Sequence, residues 1–464
     1  MKPQYLHAPA ALLGETWHKD IVIEILTNGL IGNIISAAIF TENNPQLMLH
    51  RLTGPVIPGM CNIHSHSFQY AMLGYAQSLD GKKDGDDFWG WRESMYSLAA
   101  KITPETQHAI ATQLYTDMLK GGFTAVAEFH YLHHQTNGSH HSDTAQLSHS
   151  ILSASNDAGI AIRHLPVLYN WSGFGSQKLQ SRQLRFANNT EEWIQLIEGI
   201  SINPNSQQSI GLALHSLRAV NTEQLKAADT LSQQMGNCPI HIHISEQLAE
   251  VESSLQHFNK RPVEHLYHHV NLDSRWCLIH ATHLSNQEVL HIAQSGAIAG
   301  ICPTTEADLG DGIFPADSFI QAHGSMAIGT DSHINTHVPG EIRMLEWSQR
   351  LKHKKRLRLQ FTEQGGLGTG LYAHLCKNGA QALARNCGEI QTGMLADLVV
   401  LDHNNGLLAE KPPQAMLDSW LFSGDSSQVN DVMVAGQWKI KDGQHAGQVI
   451  TGKMYRDAMK ELHT

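Results

Sequence analysis

Cysteine is scarce in this chain. Six residues in 464 (Cys61, Cys238, Cys277, Cys302, Cys376 and Cys387) are scattered, and no two form a Cys-x-x-Cys pair. That usage excludes a disulfide framework and is typical of buried thiols in a reducing compartment. Long apolar runs are absent too. None reaches the length that spans a bilayer, and the opening Met1-Lys2-Pro3-Gln4-Tyr5-Leu6-His7 lacks a signal-peptide pattern. A cytoplasmic protein is therefore expected. Positive charge is in deficit, with 32 Lys and Arg against 43 Asp and Glu and a formal net charge of −11. With no long basic run, neither nucleic acid nor a membrane is an expected partner. A small anionic substrate is still compatible with this balance, because a local pair of arginines reverses the field inside a pocket.

What the chain has in abundance is histidine, 31 residues. Two of them end an apolar run in Pro58-Gly-Met-Cys-Asn-Ile-His64-Ser-His66-Ser-Phe-Gln69. Alternate side chains of a strand share a face, so His64 and His66 project together and can share one metal ion. The length and the 41% hydrophobic content allow a large core, read as one large domain and one small.

Residues 1–55 read as short β-rich pieces, Tyr5 to Leu13 and Asp20 to Leu26, and form the N-terminal part of a small β domain. From residue 56 to 375 short apolar runs alternate with amphipathic stretches. The runs are 56–64, 123–130, 160–169, 209–215, 239–244, 276–280, 297–302 and 326–331. Helices start between them at Thr103-Pro104-Glu105, at Asn221-Thr222-Glu223 and at Ser285, whose spacing to Glu288 suits a capping box. Eight strands alternating with helices predict an α/β fold, a (β/α)8 TIM-like barrel. Residues 376–464 are expected to complete the small β domain, a β-sandwich built from both chain ends.

Titratable residues gather at the C-terminal ends of these runs, the face where such barrels carry their sites. The ends hold His64 and His66, then His215 and Arg218, then His241, His243 and Glu246, then His280 and His283, and finally Asp331 and His333. Alone, a strand-end histidine is more often a hydrogen-bonded polar group than a ligand. Five such ends on one side of a barrel are another matter. Three imidazoles and a carboxylate suit Zn²⁺ and leave it a place for water.

The set His64-x-His66, His243, His280 and Asp331 resembles the metal-dependent amidohydrolase superfamily. The intervening sequence resembles one member family, the formimidoylglutamate deiminases of histidine degradation. The stretches that carry this are Phe88-Trp-Gly-Trp-Arg92-Glu, Ala127-Glu-Phe-His-Tyr131-Leu-His-His134 and Leu214-His-Ser-Leu-Arg218. They continue with His241-Ile-His-Ile-Ser-Glu246, Trp276-Cys-Leu-Ile-His280-Ala-Thr-His, Cys302-Pro-Thr-Thr-Glu-Ala-Asp-Leu-Gly-Asp-Gly-Ile-Phe-Pro315 and Gly329-Thr-Asp331-Ser-His. Thr392-Gly-Met-Leu-Ala-Asp397-Leu-Val-Val-Leu-Asp402 is similar to the superfamily's C-terminal β segment.

The resemblance implies one Zn²⁺ per chain on His64, His66, His243 and Asp331. It also implies a dicarboxylate substrate, N-formimidoyl-L-glutamate, a hydrolytic release of ammonia, and a homodimer. Asp331 is expected to take a proton from water, Glu246 to deliver one to the imine nitrogen, and His280 to stabilise the tetrahedral intermediate. Arg92 and Arg218 are expected on the carboxylates, with Gln69, Tyr131 and His215 adding hydrogen bonds. The loop Asp80 to Trp91, with Gly81, Gly85 and Gly90, suits a mobile cover. The alternatives are an aminohydrolase acting on a nucleobase or guanidino compound, and a non-catalytic metal-binding barrel. His133, His134, His140 and His141 are expected in a solvated loop, and Lys352-His-Lys-Lys-Arg356 at a solvated helix end.

Overall fold

The structure is a computed structural model that describes residues 3–77, 88–203, 206–361 and 366–463. Gly59 divides the first apolar run into two strands belonging to different sheets. Val56–Pro58 pairs with Gln4–Leu13 and Leu398–Leu401, whereas Met60–Ser65 pairs with Phe123–His130. A Cβ at Gly59 would lie 2.3 Å from the Thr124 side chain, so only glycine lets the chain pass between the sheets here. The single strand expected over 56–64 is therefore two.

Eight parallel strands make the barrel: Met60–Ser65, Phe123–His130, Ala161–Leu168, Leu212–Ser216, Ile240–Ile244, Trp276–His280, Ile298–Ile301 and Ser325–Ile328. Each falls within or beside an expected run. Helices cover them outside and side chains fill them inside, which is why they read as continuous apolar stretches. All residues of Phe123–His130 are buried.

The seam closes just beyond the strands, where Ser65 bridges Asp331 in parallel. Asp331 N–H donates to the His64 carbonyl at 3.0 Å, and His66 N–H donates to the Asp331 carbonyl at 3.2 Å. Three candidate metal ligands are thus tied to one another through the backbone.

Helix starts follow the sequence signals. Thr103 caps Pro104–Lys120, Asn221 caps Thr222–Gln234, and Ser285 with Glu288 forms the capping box of Asn286–Ser295.

Both chain ends build the second sheet. Its order is Gln444–His445, Gln437–Lys441, Val429–Val434, Leu398–Leu401, Val56–Pro58, Gln4–Leu13, Thr16–Ile25 and Ile31–Ser36. One face buries Leu6, Ile23, Val56, Leu398 and Val400 in a core of its own, while Leu12, Ile57, Val399 and Leu401 join the barrel core. The helix Leu367–Ala382 runs through residue 376 and lies on the barrel. Tyr372 OH donates to the Pro58 carbonyl at 2.7 Å, and Asn378 Nδ2 donates to the Met326 carbonyl at 3.1 Å.

All six cysteines are buried and free. Among the described residues no helix is long and apolar enough to cross a membrane. Residues 352–356 are exposed at the end of the helix Val338–His353, as expected.

Candidate active site

Of the eleven candidate side chains, ten line one cavity of about 50 Å³ at the C-terminal mouth of the barrel: His66, Gln69, Arg92, Tyr131, His215, Arg218, His243, Glu246, His280 and Asp331. His64 lies at its base, fully buried. The backbone turns sharply as it leaves the strands. Ser245, His280, Ala281, Asp331 and His333 have φ between +47° and +67°, a region that non-glycine residues seldom occupy. Such concentrated strain is typical of functional sites.

The imidazoles meet nitrogen to nitrogen. Nε2 of His64 is 3.1 Å from Nε2 of His66 and 3.0 Å from Nε2 of His243. Asp331 Oδ1 is 3.5 Å from His64 Nε2 and 3.3 Å from His66 Nε2. The opposite ring nitrogens settle the tautomers of His66 and His243. His66 Nδ1 donates to the Phe129 carbonyl and His243 Nδ1 to the His215 carbonyl, each at 2.8 Å. Burial, reinforced by neighbouring imidazoles, pushes His64 and His243 well below the usual histidine range. Burial also lowers His66, against the pull of Asp331. His66 and His243, which donate through Nδ1, turn the lone pair of Nε2 towards Nε2 of His64, whose own Nδ1 is buried without a hydrogen-bond partner. A proton on His64 Nε2 could meet one of these two lone pairs but not both, whereas a cation shared by the three nitrogens would meet all of them. The three Nε2 atoms could together hold a metal ion, with Asp331 Oδ1 close by, and the carbonyls behind His66 and His243 fix the orientation of those two rings.

His280 has a different setting. Nε2 stands 3.8 Å from Asp331 Oδ2 and 3.8 Å from Glu246 Oε1, and Nδ1 is 3.3 Å from Glu306 Oε1. Burial alone would lower its pKa, but Glu246, Glu306 and Asp331 outweigh burial and raise it to about 10. Glu246 follows the strand Ile240–Ile244, and its other oxygen is 3.9 Å from Arg218 Nη2. On the opposite wall Gln69 Nε2 donates to Tyr131 OH at 2.8 Å, and Arg92 Nη2 donates to Tyr169 OH at 3.5 Å. Arg92 lies on the helix Phe88–Ala99. The rest of the expected cover, residues 80–87, lies outside the described residues.

Sequence reading passed over Tyr169, Glu306 and Glu128. Tyr169 does close the run 160–169, a strand-end position like those singled out. Glu306 and Glu128 stand within stretches already recognised, but nothing local showed which histidine or serine each would meet.

One expectation is corrected. His133 and His134 are not solvated but buried, 3% and 8% exposed, and give their Nε2 to the carbonyls of Val167 and Ala187. Among the described residues, no group of three metal-binding side chains with converging ligand atoms includes them.

The model of the amidohydrolase family matches residues 56–439. A formimidoylglutamate deiminase from Pseudomonas aeruginosa is 43% identical over 458 residues, which cover 98% of this chain and 99% of that one. A 5-methylthioadenosine/S-adenosylhomocysteine deaminase from Haloquadratum walsbyi is 25% identical over 384 residues, 82% of this chain and 78% of that one. The crystal structure of an amidohydrolase from Brucella melitensis superposes with a TM-score of 0.91 at 38% identity, covering 99% of this chain and 100% of that one.

Proposed function

The chain belongs to the amidohydrolase family, and from that premise we propose that it hydrolyses N-formimidoyl-L-glutamate to N-formyl-L-glutamate and ammonia, as a step of L-histidine degradation. One observation carries this reading: a single cavity brings together a cluster of histidines with Asp331, the Glu246 carboxylate and two guanidinium groups.

His64, His66, His243 and Asp331 would hold one ion, and their nitrogen and oxygen donors suit Zn²⁺. When bound, the ion supplies Lewis acidity and lowers the pKa of water beside it towards about 7. Asp331 takes the proton of the attacking water through Oδ2, the oxygen turned to His280 rather than to the ligand imidazoles. Glu246, between His280 and Arg218, carries a proton to the departing nitrogen of the substrate. His280 stabilises the negative charge that develops on the tetrahedral carbon's substituents. Arg92 and Arg218 pair with the two substrate carboxylates, and Gln69, Tyr131 and His215 orient them. Trp91, on the helix Phe88–Ala99, and Leu309, at the end of the helix Pro303–Leu309, narrow the mouth. The reading extends to a homodimer in the cytoplasm, which light scattering of the purified protein tests.

The decisive experiment measures ammonia released from N-formimidoyl-L-glutamate by protein of known metal content. Turnover with about one metal ion per chain is expected. A formimidoyl amine without carboxylates should be a poor substrate. If that amine or a nucleobase is turned over equally well, the cavity is not built for a dicarboxylate and an unspecified aminohydrolase remains.

A further inference from the structure

We propose that Glu128 is a positioning residue of the metal site: its carboxylate clamps the His64-Ser65-His66 strand end and supplies the second negative charge that balances the bound ion. This rests on the reading of His64, His66, His243 and Asp331 as one metal site.

The clamp is visible in the hydrogen bonds. Glu128 lies on Phe123–His130, opposite Ser65 of the neighbouring strand. Its Oε2 accepts from Ser65 Oγ at 2.6 Å, and its Oε1 accepts from the backbone N–H of Ser67 at 2.8 Å. Ser67 is held from its far side by Gln107 Nε2, which donates to Ser67 Oγ at 2.9 Å. These two serines are the neighbours of His66 on either side. Ser65 also follows His64 and forms the backbone bridge to Asp331. One carboxylate thus fixes the segment that carries two of the four ligands and is bridged to a third.

The charge argument is independent of the clamp. Glu128 is 1% exposed, and the partners that hold its carboxylate are neutral hydroxyl and N–H groups. Several buried carboxylates elsewhere in the chain pair with cations, whereas Asp311 and Glu250 are held by neutral donors, Gln247 Nε2 and the Glu246 N–H. Glu346 pairs with Arg350 at 2.7 Å, Asp397 with Arg385 at 2.8 Å and Glu288 with Arg261 at 2.6 Å. Glu341 is also held by neutral donors, but it stands in the first turn of the helix Val338–His353, where the helix dipole favours a negative charge. Glu128 sits on a strand and has no such field. An uncompensated buried carboxylate is strongly unfavourable. The ligand set offers the nearby counter-charge. Three neutral imidazoles and Asp331 would leave a divalent ion with one positive charge in excess, and Glu128 cancels it.

The test separates charge from geometry. Glu128→Gln keeps the shape and an acceptor and loses the charge. Ser65→Ala keeps the charge and loses one hydrogen bond. Zinc release into excess chelator and thermal melting of the zinc-loaded and metal-free proteins are measured. Glu128→Gln should release zinc about 10–100-fold faster than wild type, the usual effect of a group behind the ligands. Its metal-free form should melt at or above the metal-free wild type, because a carboxylate whose charged form is disfavoured by burial has been replaced by a neutral group. Ser65→Ala should release zinc more slowly than Glu128→Gln. A residue that merely braces the fold would lower both melting temperatures. An unchanged release rate overturns the proposal. So does a metal-free Glu128→Gln protein that melts below metal-free wild type or fails to fold. A wild type that binds no zinc overturns instead the metal-site reading beneath it.

Discussion

Two groups of buried histidines stand in the same barrel, and they are wired in opposite ways. At the mouth, His66 and His243 spend Nδ1 on main-chain carbonyls and aim Nε2 at His64. Beyond the second and third strands, His133 and His134 spend Nε2 on the carbonyls of Val167 and Ala187, and His130 packs on His164 with ring centroids 5.2 Å apart. Both groups are buried and rich in imidazole. The first turns three ring nitrogens to one point beside a carboxylate, whereas in the second His133 and His134 bond to separate carbonyls and neither nitrogen of His164 has a partner. Convergence of ring nitrogens on one point marks a candidate metal site, and histidine abundance does not.

The largest effect that could break this contrast comes from deleting one member of each group. His243→Ala should lose the metal and the activity together, as metal analysis and ammonia release would show. His133→Asn should keep both, with any loss confined to stability. Loss of the metal from the His133 variant would mean that the second group is a site as well.

A smaller effect is expected one step away from the ligands. Glu246→Gln keeps the shape of the side chain but cannot carry a proton. Acid–base groups contribute about 10²–10⁴-fold, so turnover should fall at least ~100-fold with the metal retained. Near-wild-type turnover would make Glu246 structural and assign the proton to another group. Smaller again is the effect of the cations. A substrate carboxylate left unpaired costs on the order of 2–5 kcal/mol, so Arg92→Met and Arg218→Met should each lower kcat/KM by at least about 30-fold. A substrate without carboxylates should barely feel either change, and equal losses on both substrates would remove the arginines from substrate binding.

The mouth of the barrel was legible in the sequence because its logic is local. A strand's period of two puts His64 and His66 on one face, and apolar runs ending in titratable residues announce the catalytic end of a barrel. Asp331 and Glu246 follow from the same rule. Gly59 was not legible, since an unbroken apolar run hides a handover between two sheets that only the nearness of Thr124 enforces. Nor was the burial of His133 and His134. Their flanking Asn, Ser and His residues read as a polar loop, and the carbonyls that receive them lie 34 and 53 positions along the chain. Glu128 and Glu306 were quoted within recognised stretches, yet their partners Ser65 and His280 come from other strands. What escaped the sequence reading was in each case a contact between segments distant in the chain, steric at Gly59 and polar elsewhere.

The smallest expected effect sharpens the comparison through pH. His164 is fully buried, and neither ring nitrogen has a hydrogen-bond partner. Burial, with the nearby His133 and His149, lowers its pKa from 6.5 to about 3. The unfolded chain therefore binds this proton more readily than the native one, and stability must fall as pH falls through the window from about 6.5 towards about 3. Above that window His164 contributes no pH dependence. At pH 5.5 the unfolded imidazole is roughly one unit below its pKa, so the linked loss is about 1.4 kcal/mol for this one residue. His164→Leu removes the titration without asking the core to hold a charge. Urea unfolding of wild type at pH 7.5 and 5.5 should show a loss that the variant lacks in part, while kcat at pH 7.5 stays unchanged. An identical pH slope in the two proteins would mean that His164 is not kept neutral by its surroundings. A fall in kcat would tie the second histidine group to the first and break the contrast between them.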